Sequence, residues 1–397
     1  MSKRVVLSEV REKITALDQK LLGLLGERRQ LSLSVAQSKI DTVKNVRDTE
    51  REEALLIDLI QRGHKLGLDA HYVSQLFHVI IEDSVLNQQA WLQERANHQH
   101  ESPIARVAFL GSKGSYSYLA CHRYFSRRVE DIVEVGCDSF SDIVNQVESG
   151  QAEFGLLPIE NTSSGSINEV YDVLQHTSLS IVGELTQPVE HCLVTAVDTD
   201  ISQIDTIYCH VQPYQQCSQY LSKYKGIKFE FVESTAAAME IVQQQQSQNI
   251  AAIASQEGGS LYNLKAIERK IANQLENHSR FIVVARKAVE VAVQIPAKTT
   301  FIMSTHQASG ALVDALLVLK SNDISMTKLE SRPIQGNPWE EMFYIDVDCN
   351  LHHDNMQKAL SELNEITKDI KILGCYPSES IQATPVAEVL LNSNTPV

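Results

Sequence analysis

From Val5 to Ile40 the apolar residues fall at Leu7, Val10, Ile14, Leu17, Leu21, Leu24, Leu31 and Val35. Steps of three and four describe a helix with a narrow apolar seam, the kind that pairs with another helix. At the usual rise it is roughly 54 Å long. The rung between Leu24 and Leu31 is Arg28. A guanidinium on a packing seam is costly unless something anionic meets it. The ladder therefore dictates a long helix, and Arg28 points to a function for it.

Two shorter helices follow. Asp48-Thr49-Glu50-Arg51-Glu52 opens one, with acids in its first turn, and Gly63 and Gly67 mark its end. Asp69 caps another, with Val73, Leu76, Phe77, Ile80, Ile81 and Val85 facing inward. Two short partners cannot cover so long a seam, so a second copy is expected to do it, giving an intertwined homodimer or a higher homo-oligomer.

Composition narrows the class. A chain of 397 residues calls for two or three domains. A net charge of −15 argues against nucleic-acid and membrane partners. No apolar run approaches the roughly 20 residues of a membrane span. The N-terminus enters a charged amphipathic pattern at once, so no signal peptide is expected. The seven cysteines are scattered without a C-x-x-C pair, which reads as reduced thiols of a cytoplasmic protein with no metal site.

The charges of the helical region can share a pocket. Arg28 and Lys39 are eleven residues apart, which returns to within about 20° of the same face. Asp48, Arg51 and Glu52 are spaced i, i+3, i+4, as are Ser84 and Gln88 at i, i+4. Arg11 lies seventeen residues before Arg28, on another face and about 25 Å away, so it can meet Arg28 only across an antiparallel partner. Taken alone, Asp48, Arg51 and Glu52 read equally as surface charges. The set contains neither a nucleophile–base pair nor a metal-ligand cluster.

The stretches REKITALDQKLLGLLGERRQL, VRDTERE and IIEDSVLNQQ resemble the all-helical chorismate mutase family over residues 5–95. The resemblance implies substrate contacts at Arg11, Arg28, Lys39, Asp48, Arg51, Glu52, Ser84 and Gln88. It also implies conversion of chorismate to prephenate, a unimolecular rearrangement that requires cations on two carboxylates and a donor at the ether oxygen. Lys39 and Gln88 suit the donor role.

From Arg106 the period changes. RVAFLGSKGSYSYLA reads as a strand, a glycine turn and a helix start whose N–H groups suit an anion. FGLLPIENTSSGSI, TIYCHVQPYQQC, NIAAIASQEGG and NHSRFIVVARK each pair a short strand with a polar tip. They suggest two parallel-sheet lobes with a cleft between strand ends. His210 and His278 read singly as structural residues. Together these motifs resemble prephenate dehydratase over residues 105–285. The resemblance places the key hydroxyl at Ser279 of Ser279-Arg280-Phe281, and further substrate contacts at Ser115, Asn161, Thr162, Arg280 and Phe281. The chain departs from the family pattern at Ser112, Val211 and Ser279. Serine keeps the hydroxyl of the usual threonine but lacks the β-branch that stiffens its rotamer.

The last region reads βαββαβ, an α+β ferredoxin-like order, and resembles the ACT family over residues 299–376. Gly310-Ala311-Leu312-Val313 and Glu330-Ser331-Arg332-Pro333 match the family's phenylalanine-binding motifs, which implies L-phenylalanine as an inhibitor. The expected fold is thus multidomain: an all-α mutase domain (1–95), a linker (96–104), a two-lobed α/β dehydratase domain (105–285), an ACT domain and a tail (377–397). The order of modules resembles the bifunctional enzymes of phenylalanine biosynthesis, with chorismate and prephenate as substrates and no cofactor. Two rivals are a mutase with a decayed dehydratase and a non-catalytic amino-acid-binding regulator.

Overall fold

The computed structural model describes residues 7–39, 46–97, 103–274, 276–306, 308–334 and 340–378. The expected break at Val43, most of the linker and the tail beyond 378 lie outside them. The chain divides into two compact units, residues 1–99 with 292–296 and 381–397, and residues 100–291 with 297–380.

The first unit is helical: α1 (Leu7–Ser38), α2 (Thr49–Lys65) and α3 (Ala70–Ala96). Asp48 and Asp69 cap α2 and α3, accepting from Arg51 N and Tyr72 N at 3.1 Å each. Helix α2 runs two residues past Gly63, and α3 extends to Ala96, into the expected linker. Leu56, Ile60, Val73, Ile81 and Val85 are buried, whereas Leu76 is exposed. Only Ser32 and Ala36 of α1 are buried. Its seam lies open, with Ile14, Leu17, Leu21, Leu24 and Leu31 between 52% and 68% exposed.

The second unit holds three sheets. The chain runs β1 (Ile104–Leu110), α4 (Tyr116–Phe125), β2 (Asp131–Cys137), α5 (Phe140–Glu148), β3 (Phe154–Asn161), β4 (Gly165–Ser166), α6 (Asn168–His176) and β5 (Ser180–Pro188). It crosses to β6 (Cys192–Thr195), β7 (Thr206–Cys209), α7 (Val211–Gln216), α8 (Ser218–Leu221), β8 (Lys228–Phe231), α9 (Thr235–Gln245), β9 (Ile250–Ala254), α10 (Gln256–Leu261) and β10 (Lys265–Glu268). It then returns as β11 (His278–Ala285). The first sheet is ordered β2-β1-β3-β11-β5, with β4 paired to β3, and the second β10-β6-β9-β7-β8. Neither is purely parallel, contrary to the expectation. The returning β11 pairs antiparallel with both β3 and β5, and β6 lies antiparallel to β9 and β10. Strand–helix alternation cannot reveal this, because the reversal follows from where the chain re-enters the first sheet.

The third sheet closes the unit: β12 (Ala297–Thr305), α11 (Ala311–Ser321), β13 (Met326–Pro333), β14 (Glu341–Val347), α12 (Asp354–Ile366) and β15 (Thr367–Pro377). Its antiparallel order, β13-β14-β12-β15, is the expected βαββαβ arrangement. It does not stand apart from the dehydratase-like region. Ile302, Met342, Tyr344, Leu373 and Tyr376 share one apolar core with Leu157, Ile159, Tyr171 and Ile181. A Cβ at Gly374 would lie 2.2 Å from the Ile181 carbonyl oxygen, so only glycine permits that approach.

Candidate functional site

In the helical unit a pocket of about 400 Å³ is lined by Arg28, Lys39, Asp48, Arg51, Glu52, Ser84 and Gln88. Seven of the eight side chains expected there are thus brought together. The eighth, Arg11, is on the exposed stretch of α1 and does not line the pocket. Arg28 is partly buried. One of its nitrogens donates to the Ile80 carbonyl at 3.2 Å and to the Ser84 hydroxyl, and that hydroxyl donates to Ile80 O at 2.9 Å. Burial lowers the pKa of Arg28, with Asp83 pulling the other way. Lys39 donates to Val46 O at 2.7 Å. The acids are already engaged: Asp48 caps α2, and Glu52 pairs with Arg47 at 3.0 Å. Gln88 donates to Ser84 O at 3.2 Å, which leaves its second amide proton for a bound group. The pocket therefore presents net positive charge with one neutral donor, suited to a compact dianion. Sequence reasoning missed Ser32 and Val35 in the lining and, behind it, Arg47 as the partner of Glu52. Ser32 and Val35 are at i+4 and i+7 from Arg28, on the face that already carried Lys39.

In the second unit Ser279 is the second residue of β11, and its Oγ accepts from Asn161 Nδ2 at 3.0 Å. The Asn161 amide orientation is not in doubt, because its Oδ1 accepts the backbone N–H groups of Ser163 and Ser164, both at 2.9 Å. A backbone N–H can only donate. Among the described residues the Ser279 hydroxyl proton has no acceptor, so it is available to a ligand. Thr162 serves as a staple, donating through N to His278 O and accepting from His278 N at Oγ1, both 2.9 Å. Ser115 caps α4 by accepting from Tyr118 N at 3.1 Å. His210 caps α7 through Nδ1, and burial lowers its pKa.

Arg280 and Phe281 are not brought to Ser279's side chain, which corrects the expectation that they bind substrate. Phe281 is 2% exposed in an apolar core. Arg280 sits in a buried charge cluster, 2.6 Å from Asp346, 2.8 Å from Glu184 and 3.2 Å from Glu160. Lys298 meets Glu184 at 2.9 Å, and Lys328 meets Glu160 at 2.7 Å. Burial works against the Arg280 charge, yet Asp346 and Glu184 hold its pKa above the ordinary value. Alternation along the strand turns Arg280 away from Ser279, whereas Phe281 lies on Ser279's side of the strand but is taken up by the apolar core.

In the third sheet Gly310 caps α11 at φ 85°, a conformation that favours glycine, and Ala311, Leu312 and Val313 form the first turn. Ser304 pairs with Met342, which pairs with Arg332. The end of β12 that leads toward the first motif and the second motif on β13 therefore lie at the same end of the sheet's strands. Two of their side chains are tied to the dehydratase-like region. Arg332 is bidentate to Asp172, with both oxygens at 2.9 Å from Nη2, and Glu330 accepts from the Ser166 hydroxyl at 2.5 Å. Ser331 and Pro333 are exposed.

A cationic helical pocket and a neutral hydroxyl–amide site, followed by a ferredoxin-like module, describe a two-site chain of fused modules. Comparisons with known proteins agree. The family model for chorismate mutase type II matches residues 10–89, and that for prephenate dehydratase matches residues 107–289. The chain is 58% identical over 375 residues to the bifunctional chorismate mutase/prephenate dehydratase of Enterobacter agglomerans, spanning 94% of this chain and 97% of that protein. The Escherichia coli (strain K12) counterpart is 56% identical over the same shares. Among solved structures, prephenate dehydratase from Arthrobacter aurescens in complex with L-Phe aligns with a TM-score of 0.63 at 23% identity, over 72% of this chain and 95% of that one. A protein described as a novel type of quorum quenching acylase aligns at 0.62 with 28% identity, over 69% and 98%. The chain belongs to the bifunctional chorismate mutase/prephenate dehydratase family.

Proposed function

We propose that this chain rearranges chorismate to prephenate in the helical pocket and converts prephenate to phenylpyruvate at Ser279. The convergence of seven expected side chains on one cationic pocket carries the first half. Arg28, Arg51 and Lys39 hold the two carboxylates in a folded conformer, while Lys39 and Gln88 donate to the ether oxygen as its bond to carbon breaks. Asp48, Glu52 and Ser84 orient the substrate and these cations. At the second site the ring carboxylate leaves as carbon dioxide, its electron pair aromatises the ring, and the expelled hydroxyl takes a proton to leave as water. Ser279 supplies the donor, with Asn161, Thr162 and Ser115 shaping the site. The intact hydrogen bonding around Ser279 supports an active dehydratase over a decayed one.

We further infer that the C-terminal module is an ACT domain. It would bind L-phenylalanine at residues 310–313 and 330–333 and slow both reactions by favouring one of two states. The open α1 seam supports a homodimer in which Arg11 of one copy completes the pocket of the other. The seven free cysteines fit a cytoplasmic enzyme. Chorismate and prephenate assayed separately, each with and without L-phenylalanine, test the proposal. Two activities, both lowered by the amino acid, are expected. Mutase activity without phenylpyruvate would restore the decayed-domain reading, and no turnover would restore the regulator.

A further inference from the structure

The chain passes between the first two sheets twice, through Val189–His191 and through the segment before β11. Hydrogen bonds lace these crossings together: Val189 N to Asn277 O at 2.8 Å, Ile271 N to His191 O at 3.1 Å and Asn273 N to Gln216 O at 2.7 Å. Within them runs a continuous chain of neutral side chains. Asn161 Nδ2 donates to Asn277 Oδ1 at 2.7 Å, and Asn277 Nδ2 donates to Gln216 Oε1 at 3.2 Å. The same oxygen is 2.8 Å from His191 Nε2, and His191 Nδ1 is 3.0 Å from the Tyr116 hydroxyl. His191 is 1% exposed, and Asn277 is 4% exposed.

Each direction in this chain follows from its neighbour. The backbone N–H groups of Ser163 and Ser164 turn Asn161 so that its amide nitrogen faces Asn277 Oδ1, with its second hydrogen shared between Ser279 Oγ and the His278 carbonyl at 3.1 Å. Asn277 must then present its oxygen to Asn161 and its nitrogen to Gln216. Gln216 meets it with an oxygen, and two donors share that oxygen. The His191 nitrogen facing it must therefore carry hydrogen, and on the other side of a neutral ring Nδ1 is an acceptor for the Tyr116 hydroxyl, whose proton it shares with the Glu190 carbonyl 3.0 Å away. Burial disfavours the charged imidazolium and lowers its pKa.

We propose that His191, held as its neutral Nε2–H tautomer, is a positioning residue for the dehydratase: Ser163 and Ser164 fix Asn161 at one end of the chain, and His191 fixes Gln216 and Asn277 at the other, so that Asn277 Oδ1 holds the Asn161 amide in place against Ser279 Oγ and leaves the Ser279 proton for the departing hydroxyl of the substrate. His191 touches no reacting atom. Its effect is on the placement of the Asn161 amide, and it rests on the reading of this site as a dehydratase.

The test uses the full-length chain and begins with wild-type phenylpyruvate formation from prephenate, whose absence would refute the dehydratase reading itself. Glutamine places an amide N–H where Nε2 was, whereas asparagine reaches only toward Nδ1. His191→Gln is expected to keep more than about a third of kcat, and His191→Asn to lose about 10²-fold, a loss on the scale of a misaligned reacting group. KM for prephenate should change little in both, and chorismate turnover by the same preparations reports an intact mutase unit. Equal kcat in the two variants, or a loss confined to KM, would overturn the proposal. Nitrogen-15 NMR of the wild-type histidines supplies a readout independent of the variants' folding. A buried neutral ring protonated at Nε2 is expected, and an Nδ1–H tautomer or an imidazolium at His191 would overturn the proposal.

Discussion

Arg28 and Arg280 each withdraw a guanidinium from water, and the two units treat the charge in opposite ways. Arg280 lies among Glu160, Glu184 and Asp346, with Lys298 and Lys328 balancing the acids. Tyr376, which shares hydrogen bonds with Thr300, also accepts from it at 3.2 Å. Its pKa is raised. Arg28 is met by a carbonyl and a hydroxyl, and its pKa is lowered. A buried cation surrounded by acids is finished as structure, while one met by neutral acceptors retains attraction for an anion. The difference separates a structural arginine from a binding one more reliably than depth of burial or the presence of a family motif.

The sharpest way to break the comparison is to remove each guanidinium. Arg280→Met leaves Asp346 and Glu184 facing one another without their main counter-charge. A loss of about 3–5 kcal/mol is expected, read as a drop in urea midpoint of the second unit's transition, with dehydratase activity lost through unfolding. Chorismate turnover should persist wherever the helical unit remains folded. If Arg280→Met kept its stability and lost only prephenate binding, the substrate-contact role rejected above would be restored.

Arg28→Ala should do the reverse. The expected cost is about 10²–10³-fold in mutase kcat/KM, with little change in stability and none in prephenate conversion. Mixing it with Arg11→Ala chains sharpens the point. Random subunit exchange places an intact pair of arginines in about a quarter of the sites, so activity should return to that level. Absence of rescue after demonstrated exchange would mean that Arg11 serves no pocket across a dimer.

Which parts of this were legible in the sequence follows the same division. Helical periodicity is local, so the face that carries Arg28 with Lys39 and the face that carries Asp48, Arg51 and Glu52 could each be read by counting. Asp48 as a cap and the βαββαβ order were legible for the same reason. Nothing local tells that β11 returns between β3 and β5, because that pairing joins residues more than a hundred apart. The error at Arg280 and Phe281 has the same root. A motif names three consecutive residues, but alternation turns Arg280 away from Ser279, and Phe281, on Ser279's side of the strand, is claimed by a core built from residues distant in sequence. Gln216 and Asn277 lay within the strand-tip stretches and His191 outside them, but none of the three could be singled out, since amide and imidazole side chains acquire direction only from partners distant in sequence.

The smallest predicted effect probes the compensated cluster without dismantling it. Glu160 is penalised by burial, but the hydrogen bond and charge of Lys328, with Arg280 behind them, leave its pKa below the ordinary carboxylate value. A depressed folded pKa contributes stability that is present above the unfolded value, near 4.3, and is lost as pH falls through the folded value. The urea midpoint of the second unit should therefore decline on acidification below that range, and Glu160→Gln should flatten this part of the decline while lowering the midpoint at neutral pH. The helical unit offers the internal contrast. Among the described residues Arg28 has no carboxylate within hydrogen-bonding distance, and Asp83 acts on it only through space, so Arg28→Ala should change the acid limb of the first unit's unfolding much less than Glu160→Gln changes that of the second. An acid limb that Arg28→Ala alters as much as Glu160→Gln alters that of the second unit would show that Arg28, too, is held by acids, and the distinction between the two arginines would fail.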